Sequence, residues 1–191
     1  MGRPRAFDPT DVIAQAMEAF WTNGYAATSP ADLAAATGVG KGSLYHSFGS
    51  KRELFDRALE LYSRLGSSAT EEVLAQPGTA KERIRAYFLL LVDLDLDGPV
   101  RRGCLAQNTV EELGARDAQA AEAVRRLEDR MIELFAARLE QGQRDGDVDA
   151  GLDTEAQALL LQTTLAGLRV MAKTYERPVL VRIVDTALAG F

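Results

Sequence analysis

The chain has 191 residues, 47% hydrophobic and 26% charged, with a net charge of −6. That apolar content can bury a core of one or two small domains. No apolar run approaches the roughly 18 residues of a membrane span, and the opening MGRPRAFDP lacks the apolar stretch of a secretory leader, so a cytoplasmic location with no membrane partner is expected. The single cysteine, Cys104, excludes an intrachain disulfide framework and fits a reducing compartment. With His46 the only histidine, neither a His/Cys metal cluster nor a Ser/His/Asp triad can be assembled. Neither a metal nor a cofactor is expected, and enzymatic chemistry has little to stand on.

The first helix carries a full set of start signals: Phe7 ahead of the cap, Asp8 as N-cap, Pro9 at the first helical position and Asp11 at the third, with Val12 placed to staple against Phe7. Ile13, Ala16, Met17 and Phe20 form its apolar stripe, and Asn23 and Gly24 end it. A second helix starts at Ser29, Pro30 and Asp32, uses Leu33, Ala34 and Thr37 as its apolar side, and stops at Gly38. The segment from Gly40 to His46 is too short to stand alone and must be held through Val39, Leu44 and Phe48. Its outward face carries Lys41, Ser43, Tyr45 and His46, types suited to base edges and phosphate oxygens in a major groove. Ser50 and Glu53 read as another capping box, so a further helix begins with Lys51 and Arg52 beside its positive end, a suitable place for a backbone phosphate. Phe55, Ala58, Leu59, Tyr62 and Leu65 continue that helix until Gly66, Ser67 and Ser68, where it is expected to run out.

The remainder reads as helices with no alternating strand signal. Thr79 and Glu82 box the start of a helix through Ile84, Tyr87, Phe88, Leu91 and Val92, which Asp97, Gly98 and Pro99 break. A shorter helix covers Cys104 to Leu113, and Asp117 caps a long one through Val124, Leu127, Met131, Leu134, Phe135 and Leu139. QGQRDGDVDAG reads as a polar loop. Asp153 caps the next helix, with Ala156, Leu159, Leu160, Thr163, Thr164, Gly167, Leu168 and Met171 on a broad apolar surface, and Arg177 and Pro178 start the last. These two helices hold more apolar surface than one partner face needs, with Ala166 and Gly167 permitting close approach. Dimerisation accounts for that excess; completion of a monomeric core is the alternative.

Charge distribution reconciles an acidic chain with an anionic partner. Residues 1–52 carry five basic side chains against four acidic ones, a balance of +1 that leaves −7 for the rest. Arg3 and Arg5, in an N-terminal arm, can add minor-groove or phosphate contacts, or simply be solvated. Two motifs fail on inspection. GVGKGS has Gly42 where a phosphate loop needs Ser or Thr after its lysine, and the acidic run from Asp145 has Ala150 and Ala156 where a calcium loop needs glycine and glutamate.

The run GVGKGSLYHSFGSKREL resembles, nearly position by position, the N-terminal DNA-binding domain of the TetR family of transcriptional regulators, and FDPTDVIAQAMEAFWTNGYAATS is similar to the family's first helix. Roughly the first third of the chain carries the resemblance. Gly40 departs from it, standing where the family often places serine or threonine as recognition-helix cap. The resemblance implies an all-α protein: a three-helix helix-turn-helix DNA-binding domain at residues 1–55 and a larger helical ligand-binding and dimerisation domain at 56–191. It implies a homodimer, joined by a four-helix bundle of the last two helices, on double-stranded operator DNA. Thr28, Ser29, Ser43, Tyr45, His46 and Lys51 would contact phosphates, with Lys41 and Gly42 nearest the bases. It implies release by a small-molecule inducer, apolar or electrophilic, in a pocket drawn from Tyr87, Phe88, Leu91, Cys104, Gln107, Asn108, Glu111, Met131, Phe135, Leu165 and Met171.

RRGCLAQNTVEEL resembles a stretch of some TetR-like regulators in which glycine and cysteine open a helix beside the pocket, and a thiol at a helix N-terminus can ionise easily. That suits sensing of an electrophile or oxidant, with Arg101 and Arg102 supporting the thiolate; an inert buried cysteine is the open alternative. The rival from another class is a helical small-molecule-binding or scaffolding protein with an unused helix-turn-helix.

Overall fold

The computed structural model describes residues 7–190, and every regular element among them is helical. Helix α1 spans Pro9–Asn23, α2 Pro30–Thr37, α3 Lys41–Phe48 and α4 Lys51–Leu74. Helix α5 spans Ala80–Asp97, α6 Leu105–Thr109, α7 Ala118–Asp145, α8 Thr154–Met171 and α9 Arg177–Ala187; a single π-turn, Val110–Gly114, follows α6.

The start signals read from the sequence act as read. Asp8, Ser29, Ser50, Thr79, Asp117 and Asp153 each accept a backbone N–H at the N-terminus of their helix, and Ser29 with Asp32 and Thr79 with Glu82 close reciprocal boxes. Ser50 makes only half of its expected box: it accepts from the Glu53 N–H at 3.1 Å, while its own N–H is taken by the Phe48 carbonyl at the tight exit from α3. At Gly38 the backbone is left-handed (φ +65°), which turns the chain between α2 and α3 without a side-chain penalty.

Two apolar cores form. Around the first three helices, Phe20, Leu33, Leu44, Phe48, Leu54 and Phe55 are buried, and Phe55 meets Phe20 edge-on with centroids 5.0 Å apart. In the body, Ile84, Phe88, Phe135, Leu139, Leu161 and Leu180 are buried, with the Phe88 and Phe135 rings 5.9 Å apart.

The structure corrects three expected boundaries. Helix α4 does not end at Gly66–Ser68 but continues to Leu74, because Thr70 and Leu74 are buried and Thr70 returns its hydroxyl to the Gly66 carbonyl. A boundary after residue 55 therefore falls inside a continuous helix. The stretch expected as one short helix from Cys104 divides into α6 and the π-turn. Helix α7 runs on to Asp145, absorbing the first half of the expected polar loop. Within that loop the Asp147 carboxylate accepts the Ala80 N–H and Asp149 accepts the Gly151 N–H, uses internal to the chain.

Phe135 lies in the body core with no exposed surface. Replacing it by alanine should cost about 3–5 kcal/mol of unfolding free energy, measured by denaturant titration.

Candidate nucleic-acid interface and ligand cavity

Lys41, Gly42, Ser43 and His46 are exposed on one side of α3, while Leu44 and Phe48 anchor the other side in the core. This helix begins at Gly40 with no side-chain cap, so its first N–H groups are left for solvent or a ligand. Tyr45 is half-buried, and burial, with nearby Tyr25, pushes its phenol above the usual tyrosine value, keeping it a hydrogen-bond donor. Lys51 reaches back over the Tyr25 ring, 4.4 Å from its centroid, and lies 3.5 Å from the Ala26 carbonyl. Ser29 is spent as an acceptor from Asp32 N–H, which leaves its hydroxyl proton available. Arg3 and Arg5 lie outside the described residues.

Thr28, expected on a phosphate, and Arg52, expected beside a phosphate-binding helix end, both have partners inside the protein. Thr28 is fully buried and donates its hydroxyl to the Gly24 carbonyl at 2.6 Å, so it braces the α1–α2 corner. Arg52 turns inward, donating to both carboxylate oxygens of Asp117, the cap of α7, and to Asp56 at 2.7 Å. Asp117 holds Arg52 well above even the ordinary guanidinium value, and Arg52 in turn holds Asp117 below the ordinary carboxyl value.

The head is fastened to the body by two further polar clasps. Glu112, on the π-turn, accepts the N–H groups of Tyr25 (2.8 Å) and Ala26 (2.6 Å); the extra residue of the π-turn widens the helix where this carboxylate leaves it. Trp21 donates its indole N–H to the Gly103 carbonyl (2.9 Å), and Arg102 covers the Trp21 ring at 3.7 Å while pairing with Glu18. Gly103 has a left-handed backbone (φ +65°), and a side chain there would meet the Arg169 carbonyl at 2.9 Å.

Behind these clasps lies a cavity of about 650 Å³, within the usual range for small-molecule sites. Helix α1 supplies Met17, Glu18 and Trp21 to its wall, α4 supplies Tyr62 and Leu65, α5 Tyr87, Leu91, Leu94 and Asp95, and α8 Gln162, Leu165 and Arg169. Cys104, Gln107, Leu127 and Met131 add to it, with Thr22, Ser67, Arg102 and the turn at Gly98, Pro99 and Val100 also on the wall. Tyr62 donates its hydroxyl to the Cys104 sulfur at 3.3 Å, and burial raises the phenol well above its usual value. Arg169 and Asp95, both buried, pair at 2.9 Å (Nη2 to Oδ1) and 2.5 Å (Nε to Oδ2), and Arg169 also donates to the Gly103 carbonyl at 2.8 Å. Burial raises the Asp95 carboxyl above its ordinary value, and the Arg169 charge pulls the other way.

Of the expected ligand residues, Tyr87, Leu91, Cys104, Gln107, Met131 and Leu165 line this cavity. Phe88 and Phe135 are corrected to closed core, and Met171 packs against that core. Asn108 and Glu111 face a separate shallow cleft, where Asn108 accepts from Lys173 at 2.6 Å. Arg101 pairs with Glu176 and Arg102 with Glu18, so neither is committed to the thiol of Cys104 as expected. Sequence reasoning missed Trp21, Asp95, Gln162 and Arg169; the signal was present in the last two, polar side chains set into the apolar face of α8.

Residues 12–58 match the family of bacterial regulatory proteins, tetR family, and residues 80–188 match the tetracyclin repressor-like C-terminal domain. The uncharacterized HTH-type transcriptional regulator YezE of Bacillus subtilis (strain 168) is 33% identical over 159 residues, 83% of this chain and 81% of its own. The HTH-type transcriptional repressor ComR of Escherichia coli (strain K12) is 27% identical, covering 90% of this chain and 82% of its own. A cysteine mutant of the TetR family transcriptional regulator CifR, solved on 26-base-pair double-strand operator DNA, superposes on this fold with a TM-score of 0.84 at 34% identity, covering 100% of both chains. A helical reading head and a helical body with a cavity, carried on the same chain, define a DNA-binding regulator. This chain belongs to the TetR family of bacterial transcriptional regulators. No helix among the described residues is long and apolar enough to cross a membrane.

Asp95→Asn would strand the Arg169 charge in the interior, and a loss of about 3–5 kcal/mol is expected, read by urea unfolding. Adding Arg169→Met should recover part of it; an additive further loss would contradict the pairing.

Proposed function

We propose that the chain is a cytoplasmic transcriptional repressor that binds a near-palindromic operator as a homodimer and is released when a small-molecule inducer enters the cavity. The observation that carries this reading is the shared wall: Met17, Glu18 and Trp21 of the head and residues of α4, α5 and α8 of the body face one space. A ligand seated there touches the reading head directly, so its occupancy and the placement of α3 are linked free energies, a coupling typically worth about 1–3 kcal/mol.

Operator recognition rests on the exposed face of α3. Lys41 and Gly42 stand nearest the base edges, with Ser29, Ser43, Tyr45, His46 and Lys51 on phosphates. The similarity to CifR, solved on operator DNA, supports this use of the head, and the repressors among the relatives support the sign of regulation. Dimerisation rests on α8 and α9, where Leu159 (49% exposed), Leu160 (52%), Val170 (41%) and Val179 (40%) form an apolar face. Gly167 lies on the same helix with open space above it, which suits close helix approach. Two copies set two short recognition helices into successive major grooves, about 34 Å apart. An electrophilic inducer would meet Cys104, the chain's one thiol, on the cavity wall.

Titration of the regulator's own promoter fragment across a salt series tests this. Lys51→Ala should weaken binding at every sequence and lower the salt slope by about 1. Tyr45→Ala should likewise weaken binding at every sequence. Lys41→Ala should cost about 1–3 kcal/mol and alter base preference. Sedimentation of the complex should give two chains per site. A chain that binds no promoter fragment is instead the helical ligand-binding protein with an unused head.

A further inference from the structure

We propose that Glu112 is a positioning residue for operator binding, because it holds the corner between α1 and α2 on which the Lys51 ammonium rests. This rests on the DNA-binding reading above and adds to it a residue of the body that acts through Lys51.

The corner is shaped to receive a carboxylate. Gly24 follows α1 with φ +82°, and a side chain there would come within 3.0 Å of Glu112 Oε2. With glycine in that place, Glu112 closes directly on the backbone: Oε2 accepts the Tyr25 N–H at 2.8 Å and Oε1 the Ala26 N–H at 2.6 Å, the short distances of charge-assisted bonds. The same two residues hold Lys51, whose ammonium lies 4.4 Å from the Tyr25 ring centroid and 3.5 Å from the Ala26 carbonyl. One carboxylate therefore fixes both surfaces under that charge.

The body also grips the other end of the lysine. The π-turn that carries Glu112 accepts the Asp117 N–H on its Leu113 carbonyl at 2.9 Å, and the Asp117 carboxylate holds Arg52, the residue after Lys51. A lysine stem is flexible and loses rotamer freedom when its charge meets a phosphate. Laid over Tyr25 and Ala26, Lys51 has given up part of that freedom before DNA arrives. Without Glu112, two corner N–H groups turn to water and the corner is free to shift under the ammonium. The expected sign is opposite to that of charge alone, since removing a carboxylate from a DNA-binding chain strengthens binding when only repulsion of phosphates changes.

The test is a double-mutant cycle on the full-length protein, read by fluorescence anisotropy on its own promoter fragment at one fixed salt concentration, with thermal melts confirming that each variant is folded. Glu112→Ala should weaken binding about tenfold. Glu112→Gln, which keeps the shape and one acceptor oxygen, should fall between it and the wild type although it too removes a negative charge. In a Lys51→Ala background, Glu112→Ala should cost no more than about twofold, because the group it positions is gone. Either Glu112 variant binding as tightly as the wild type, or more tightly, overturns the proposal. So does a full Glu112→Ala loss that persists without Lys51, the mark of a merely structural brace, or a Lys51→Ala chain that binds as the wild type does. A wild type that binds no promoter fragment defeats the regulator reading itself; a wild type that binds, beside an unaffected Glu112→Ala, defeats only the role of Glu112.

Discussion

The architecture depends on α4 being one unbroken helix. Its first three turns bury Leu54, Phe55, Ala58 and Leu59 in the core of the reading head, and its last two bury Thr70 and Leu74 in the body. A helix of this length is a stiff connector of about 36 Å, so the head is fixed at one end of a rod whose other end belongs to the ligand-binding helices. Side clasps remove the remaining freedom: Arg52 to Asp117, Glu112 to the corner amides of Tyr25 and Ala26, and Trp21 to the Gly103 carbonyl. The body also contributes Leu105, Ala106 and Val124 to the head's own core. A displacement of α4 or α1 by a ligand is therefore not absorbed by a soft linker and must reach α3.

The buried Asp95–Arg169 pair sits where the cavity, α5, α8 and the Gly103 turn meet. A hydrophobic pair of similar volume would serve stability at least as well. What the ion pair adds is position: Arg169 holds the Gly103 carbonyl from one side while Trp21 of α1 holds it from the other. One backbone carbonyl is thus shared by α8 of the body and α1 of the head, next to the cavity wall.

Local chemistry was the legible part of the sequence. Caps such as Ser29, Thr79, Asp117 and Asp153 act within one turn of themselves, so their reading survived folding unchanged. The end of α4 was misread because Gly66, Ser67 and Ser68 are weak formers in isolation, and only tertiary burial of Thr70 and Leu74 carries the helix through them. Cavity residues were half legible for a geometric reason. Tyr87 and Leu91 share a helical face one turn apart and reach the cavity, while Phe88, one residue on, rotates about 100° into closed core. Composition cannot separate those neighbours. Thr28 and Arg52 looked like phosphate contacts by type and place, and their partners, the Gly24 carbonyl and Asp117, become visible only when the chain is folded.

Hydrogen exchange along α4 under native conditions tests most directly whether head and body move as one through this helix. The amides from Ala58 to Glu72 should open as a single cooperative unit, with those at Gly66–Thr70 protected as well as their flanks. Early exchange confined to Gly66–Ser68, with both flanks still protected, would reveal a hinge there and contradict the account.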